Sequence, residues 1–558
     1  MRRLPAVFRS LCAVLLAGLL LFPFAAGSFA KADSGKQFVR TQGRQFVLQG
    51  KPYMIRGIAM GNSVWSNPLT PPLGDHSEKS FRELAGLGFN SVRFYLNYAL
   101  FETDAAPYEY RQEGFGWIDR NLAWAKANGI RLILNMHYPQ GGYQSQGNGD
   151  LLWTVRENRE RLKALWGKIA EYYADEEWII GYGLVNEPIP IGKTGSRDGL
   201  RVWQNLAQEI TDEIRRYDRN HVIFVEKVIG VKASAGGEVD WSLPFADQFV
   251  TIKDTNTAYE FHTYDPFYYT HQGFDWAGTE GMASGYPGDD FYVTGVEWLS
   301  CKDANHARPG ASGWQSIESG LVSVSDPKAN AVALCFQAAG IGRDGVVRAD
   351  NLVLDVYGKD GKLLRSVPCE TAETHGNFTF WAQNGEGSGK QDSSSGCDDR
   401  QSICIRGTTG DANMTCICLA HAEGQKYKVR GQIQVEKASS GATITLRVDA
   451  YHAQAVSEGS RDLLWQSVED ARAMSERLGC PLYCGEFGAG IHCFENGRGG
   501  TLWVADCISF LENAGISLNY HSFYDGSFGL YYDKYNSRAR NDALAEVFAS
   551  CFGGVDAP

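Results

Sequence analysis

Gly183-Leu184-Val185-Asn186-Glu187-Pro188 and Tyr483-Cys484-Gly485-Glu486-Phe487-Gly488 are the two stretches on which the reading of this 558-residue chain turns. Each is an apolar, strand-like run that delivers a glutamate at its end. Working outward from the first, similar runs occur at Tyr53–Met60, Phe89–Tyr95, Arg131–His137, Gly181–Glu187, His221–Glu226 and Ala258–Tyr264. Amphipathic segments separate them. One is Val155–Ala174, where Leu162, Leu165, Trp166, Ile169 and Tyr173 recur at helical spacing; another is Leu200–Tyr217, with Leu206, Ile210 and Ile214. Strand–helix alternation of this kind predicts parallel βαβ units. Around the second stretch the rhythm is the same: helix Arg461–Leu478, strand Leu482–Phe487, helix Leu502–Ala514, strand Ile516–Tyr524 and a last helix near Asn541–Ser550. Six strands and then two make eight, the number that closes a (β/α)8 barrel.

The text between the two parts is of another kind. Residues 289–456 are rich in Gly, Ser and Asp, with short β-branched runs at Leu321–Val324, Ala331–Phe336, Asn351–Val356, Tyr427–Val435 and Ala442–Val448. Such punctuation predicts a β-sandwich. The expected architecture is therefore α/β, a TIM barrel interrupted after strand 6 by a jelly-roll-like insertion. The domains are a leader at 1–30, the first barrel part at 33–288, the insert at 289–456 and the second barrel part at 457–558. The spacing of the two glutamates agrees. They are 299 residues apart, and 131 remain once 289–456 is set aside, a separation that fits within one barrel.

The ends and the composition bound the setting. Arg2, Arg3 and Arg9 precede the 16-residue apolar run Leu11–Ala26, which small residues follow. This is the pattern of a secretory signal peptide, and the run is short for a spanning helix. Secretion to the extracellular space, with no membrane association after cleavage, is expected. The net charge of −12, from 53 basic and 65 acidic residues, excludes the basic footprint of a nucleic-acid binder. Twelve of the 13 cysteines lie beyond the leader, all at or after Cys301, an even number that predicts disulfides in an exported chain. No histidine pattern completes a zinc site around them, and neither metal nor organic cofactor is expected. The chain is expected to act as a monomer.

Barrel enzymes carry their chemistry at the C-terminal ends of the strands. Those ends hold Arg93, His137, Asn186 and Glu187, His262 and Tyr264, Glu486, and the run from His521 to Tyr524. Two carboxyl groups in one cup, ringed by His, Tyr, Asn and Arg, are what hydrolysis of a glycosidic bond requires: one protonated acid and one ionised nucleophile.

In these residues the sequence resembles glycoside hydrolase family 5, the cellulase-type family of clan A. The resemblance is carried by Ser91-Val92-Arg93, Leu134-Asn135-Met136-His137, Asn186-Glu187-Pro188, Phe261-His262-Thr263-Tyr264 and Gly485-Glu486-Phe487-Gly488. It implies that Glu187 is the general acid/base and Glu486 the nucleophile of a retaining double displacement. It also implies that Asn186 binds the 2-hydroxyl of the sugar in subsite −1, that Arg93 and Tyr264 hold Glu486, and that His137 and His262 line the subsite. One departure stands out: His521 occupies the place where the family usually carries a tryptophan platform. Phe523 or Tyr524 is the alternative platform, and Trp65, Tyr138, Tyr143, Trp153, Phe267 and Trp276 are further candidates for stacking on sugars. Proline after Glu187 biases that residue toward an extended conformation.

The expected function is thus a retaining β-glycosidase acting on a β-linked glucan or related polysaccharide or oligosaccharide. A transglycosylase and a non-catalytic polysaccharide-binding barrel are the alternatives, the latter motivated by His521. The insert is expected to bind carbohydrate or to wall the cleft.

Overall fold

Eight parallel strands close into a barrel in the computed structural model, which describes residues 35–61, 77–289, 291–369, 378–383, 385–398, 400–532 and 539–554. The leader and Trp65 lie outside the described residues. The barrel strands are β1 (Arg56–Met60), β2 (Ser91–Asn97), β3 (Arg131–Tyr138), β4 (Ile179–Gly183), β5 (Val222–Glu226), β6 (Thr257–Thr263), β7 (Leu482–Phe487) and β8 (Ser517–Tyr520). They are hydrogen-bonded in that circular order, β8 pairing with β1 through Leu518 and Arg56. The barrel with a break after the sixth strand stands as the sequence predicted.

Helices cover the outside because their apolar residues recur along one stripe. In Ser196–Arg215 the buried residues Trp203, Leu206, Ile210 and Ile214 fall three or four apart and pack on the sheet. Helix Ser460–Leu478 ends at Gly479, whose φ of +66° is a left-handed cap that costs a glycine little. At the N-terminal mouth a small sheet of Arg40–Gln42, Gln45–Leu48 and Lys51–Pro52 plugs the barrel. Phe46 of this sheet and Val39 just before it pack against Ile133, Ile180, Phe224 and Tyr483, so the floor is apolar. No helix among the described residues is long and apolar enough to cross a membrane.

Between β6 and β7 the chain builds two antiparallel sheets around a separate apolar core that includes Leu334, Phe336, Leu354, Ile433 and Leu446. Its strands are longer than the short runs legible in the sequence. Phe291–His306 and Thr443–Glu458 are each 16 residues and pair along most of their length, with Phe291 opposite Glu458. The long strands carry β-bulges, for example between Trp298 and Ser300, which blur strict alternation.

The expected disulfides are not formed: all twelve cysteines from Cys301 to Cys551 are free thiols. Most behave as small buried apolar residues; Cys484, Cys493 and Cys507, for instance, lie in the barrel core. Cys369 Sγ and Cys418 Sγ are 3.6 Å apart, well beyond the bonding distance of about 2.05 Å.

Candidate active site

The cup at the C-terminal end of the barrel is organised by register. On β6 and β7 His262 is paired with Glu486, and on β5 and β6 Glu226 is paired with Glu260. Alternation along β6 turns Glu260 and His262 to the same, inner side. The interior is therefore charged where most barrels are filled with aliphatic layers. Arg93, fully buried on β2, sits at its centre. Its Nη1 donates to Glu486 Oε1 at 2.8 Å and its Nη2 to Asn186 Oδ1 at 2.8 Å. Nη2 also lies 2.8 Å from Glu260 Oε1 and 3.6 Å from Glu226 Oε2.

Three donors hold Glu486. Besides Arg93, Tyr95 donates its hydroxyl to Oε1 at 2.6 Å and Tyr264 donates to Oε2 at 2.9 Å. Burial alone would favour the neutral acid. His262, His521 and Arg93 outweigh it and hold the carboxyl well below the usual carboxylate range. The Tyr95 hydroxyl is pushed far up by burial and by the adjacent Glu486, so it remains a donor. The Tyr264 hydroxyl is raised for the same reasons.

Glu187 is held differently. It lies beyond the end of β4, not on the strand, and its φ is +45°. The extended conformation expected before Pro188 is thus not adopted. A left-handed non-glycine residue costs about 1–3 kcal/mol and persists where its surroundings impose it. Here the Asn186 amide donates to Met136 O at 3.0 Å and His262 Nδ1 lies 2.9 Å from Glu187 Oε1. The turn swings Glu187 inward over β6. One carboxyl oxygen each of Glu187 and Glu486 and a ring nitrogen of His262 all lie within 4.8 Å of one another.

The other expected residues gather at the same place. Asn186, with Oδ1 committed to Arg93, turns its amide nitrogen toward Ser145 Oγ, 3.3 Å away. His137 is buried, stacked on Tyr95 at 3.9 Å between ring centroids, and burial holds it well below the usual histidine range, as a neutral ring. Tyr264 and His521 lie just past the ends of β6 and β8. His521 Nδ1 is 3.0 Å from Tyr95 Oη and 3.8 Å from Glu486 Oε2, so it lines the cup. Phe523 and Tyr524 are buried, and the alternative platform is not realised.

Of the stacking candidates, Trp153 is a core residue whose indole donates to Gln144 Oε1. Tyr138 and Tyr143 stack on each other at 6.0 Å, and Tyr143 also lies 5.9 Å from His137. Phe267 and Trp276 are exposed, and both flank His271, which lies 5.1 Å from Tyr264. Sequence reasoning missed Tyr95, Glu226 and Glu260. The two acids lie on inward positions, and inward acids in barrel strands are the signal that could have found them.

Residues 46–305 match the family model described as Cellulase (glycosyl hydrolase family 5). Over these residues the chain is similar to glycoside hydrolase family 5. The matched residues include Glu187, and Glu486 follows beyond the insert. Among relatives, endoglucanase C of Acetivibrio thermocellus is 28% identical over 201 residues, which are 36% of this chain and 54% of that protein. A β-xylosidase of Phanerodontia chrysosporium is 29% identical over 192 residues, 32% of this chain and 36% of that one. The chain spans about half the length, or less, of these curated relatives. Among solved structures, Thermotoga maritima Cel5A in complex with cellobiose superposes with a TM-score of 0.46 at 16% identity, over 89% of this chain and 97% of that one.

Proposed function

We propose that this chain is a secreted, retaining β-glycoside hydrolase of family 5 that cleaves a β-linked glucan or a related polysaccharide or oligosaccharide, with Glu187 as acid/base and Glu486 as nucleophile. The observation that carries this reading is the approach of the two carboxyl groups to within 4.8 Å. Retaining enzymes keep them about 5–5.5 Å apart, whereas inverting enzymes need about 6.5–9.5 Å to admit a water.

The chemistry follows from the donors around each group. Glu486, ionised under Arg93, Tyr95 and Tyr264, attacks the anomeric carbon as the glycosidic bond breaks. Glu187 gives its proton to the leaving oxygen. The ester to Glu486 is then hydrolysed by a water whose proton Glu187 takes back, restoring both groups. Asn186, fixed through Arg93 and with one amide hydrogen directed at Ser145, has the other left to face the 2-hydroxyl, a contact that strengthens as positive charge builds on the ring. His521 gives subsite −1 a smaller and more polar wall than an indole would. The reading of a glucan substrate draws support from relatives named endoglucanases.

The inserted sheets present exposed Trp298 and Trp381, flat apolar faces suited to stacking on sugar rings. We read them as a carbohydrate-holding surface.

The test is Glu486→Ala. Hydrolysis of aryl β-glycosides should vanish while the protein stays folded; full retained activity overturns the assignment. Proton NMR of the first-formed product should give the β-anomer, and the α-anomer would exclude retention.

A further inference from the structure

Beneath Glu187 and Glu486 lies a second carboxyl pair that the double displacement does not use. Glu226 and Glu260 are directly paired across β5 and β6, and each is 1% exposed. One oxygen of each, with a nitrogen of His262, falls within 4.8 Å. His262 Nε2 is 3.4 Å from Glu226 Oε1 and 3.7 Å from Glu260 Oε1, while its Nδ1 faces Glu187. The imidazole thus bridges the acid/base to the buried pair. The neighbouring chain is shaped to keep it there. A Cβ on Gly485 would stand 1.8 Å from Glu260 Oε1, so only glycine leaves room for that carboxyl group. Both Glu226 carboxyl oxygens are buried with no protein hydrogen bond.

We propose that Glu226 and Glu260 carry one proton between them and hold His262 cationic against Glu187, acting as positioning residues for the acid/base. This rests on the reading of Glu187 given above. Two full negative charges at this separation and burial repel strongly, and sharing a proton leaves one. That charge balances the imidazolium, as Glu486 balances Arg93. Glu187 then gains and loses its proton without leaving the buried cluster with an uncompensated charge. When Glu187 yields its proton to the leaving oxygen, the imidazolium Nδ1–H donates to the carboxylate that remains.

Other groups facing the cluster are Arg93 and Tyr95 from β2, His137 from β3, Lys227 after β5, Tyr264 after β6, Tyr483, Cys484 and Glu486 from β7, and His521 after β8. Burial pushes Glu226 up to about 8. His262 is raised well above its ordinary value: burial opposes the charge, and Glu226, Glu486, Glu187 and Glu260 restore it. Burial lowers Lys227 to about 8, so it adds little further positive charge in alkaline solution.

The experiment compares kcat/KM against pH for two aryl β-glycosides, a dinitrophenyl one that departs without a proton and an unactivated phenyl one that needs it. In the full-length Glu226→Gln/Glu260→Gln variant the negative charge is gone and His262 and Glu187 lose protons more readily. The alkaline limb should fall by about one pH unit, and the phenyl substrate should lose about tenfold or more while the dinitrophenyl substrate stays within about threefold. Glu226→Gln alone leaves Glu260 to carry the charge, and its alkaline limb should stay within about 0.3 of the parent. Equal losses on both substrates, or an unmoved limb in the folded double variant, overturn the proposal. Should the double variant not fold, the His262 ring nitrogens of the unaltered protein, followed by 15N NMR, decide it: an imidazolium that persists at about pH 8 is expected, and a neutral ring at about pH 7 overturns it. An unaltered protein that cleaves neither glycoside refutes the hydrolase reading instead, and leaves the NMR outcome to judge the pair.

Discussion

Tyr95 donates its hydroxyl to Glu486 Oε1 at 2.6 Å, the shortest of the three hydrogen bonds described at this carboxyl group. A short bond to a charged acceptor is worth more than a neutral one, and it favours the ionised form. The two residues are 391 apart in the chain and meet because β2 and β7, three strands apart around the barrel, both direct side chains into its interior.

Tyr95→Phe removes that donor and should raise the carboxyl group's protonation range. In the proposed mechanism Glu486 works as the anion, so activity is present above its pKa and lost as pH falls through it. The acid limb of kcat/KM should therefore move upward, by about half a unit to one unit, with a fall of about three- to tenfold at its plateau. A pH–rate profile on an aryl β-glycoside is the measurement, and an unmoved acid limb contradicts it.

His521→Phe keeps a ring at the wall of the cup but deletes the nitrogen that lies 3.0 Å from Tyr95 Oη. The acid limb should shift in the same direction by a smaller amount. Because His521, Tyr95 and Glu486 form one connected group, the double variant with Tyr95→Phe should lose less than the sum of the singles. Strict additivity would mean that His521 does not act through Tyr95.

Arg93→Met leaves Glu486 and Glu260 without their buried cation. Breaking a buried ion pair from one side costs about 3–5 kcal/mol. Thermal unfolding at neutral pH should drop by more than about 5 °C, given the usual scaling for domains above 150 residues. The loss should shrink in acid. The depressed carboxyl group of Glu486 contributes stability above the unfolded-state value of about 4.3 and loses that contribution as pH falls through its folded value. Calorimetry at several pH values checks both statements.

Trp298→Ala and Trp381→Ala, both on the five-stranded sheet of the insert, should weaken retention on insoluble polysaccharide several-fold and leave cleavage of a small aryl glycoside unchanged. A pull-down assay beside a chromogenic assay separates the two effects. Unchanged retention would make the insert a structural wall.

The barrel was legible because its outer helices keep a strict apolar stripe and its strands end in polar residues with chemistry. The apolar spacing predicts a helix over Val155–Ala174, and the helix spans Arg156–Tyr173; the run Leu482–Phe487 predicts a strand and forms one. The strand ends were less so. Glu187 and His521 read as the tips of strands but sit in the turns beyond Gly183 and Tyr520, since the chain must bend there to aim their side chains inward. Glu226 and Glu260 escaped notice for a different reason. Each sits in an apolar run, and only the pairing of β5 with β6 puts them beside Arg93 and His262. Long-range register of this sort leaves no local trace. The cysteines misled because an even number behind a leader-like segment points to bridges, while their burial in two separate cores is a property of the fold.

The antiparallel ladder of Phe291–His306 with Thr443–Glu458 has a consequence for how such a protein can change over generations. Chain entering and leaving the insert travels through neighbouring strands, and Gly288 and Ser460 are hydrogen-bonded at their foot. The barrel and the insert are therefore joined through a two-stranded stem. Any module whose ends emerge side by side fits at that point without disturbing the cup, which makes this stem a natural port for exchange of domains.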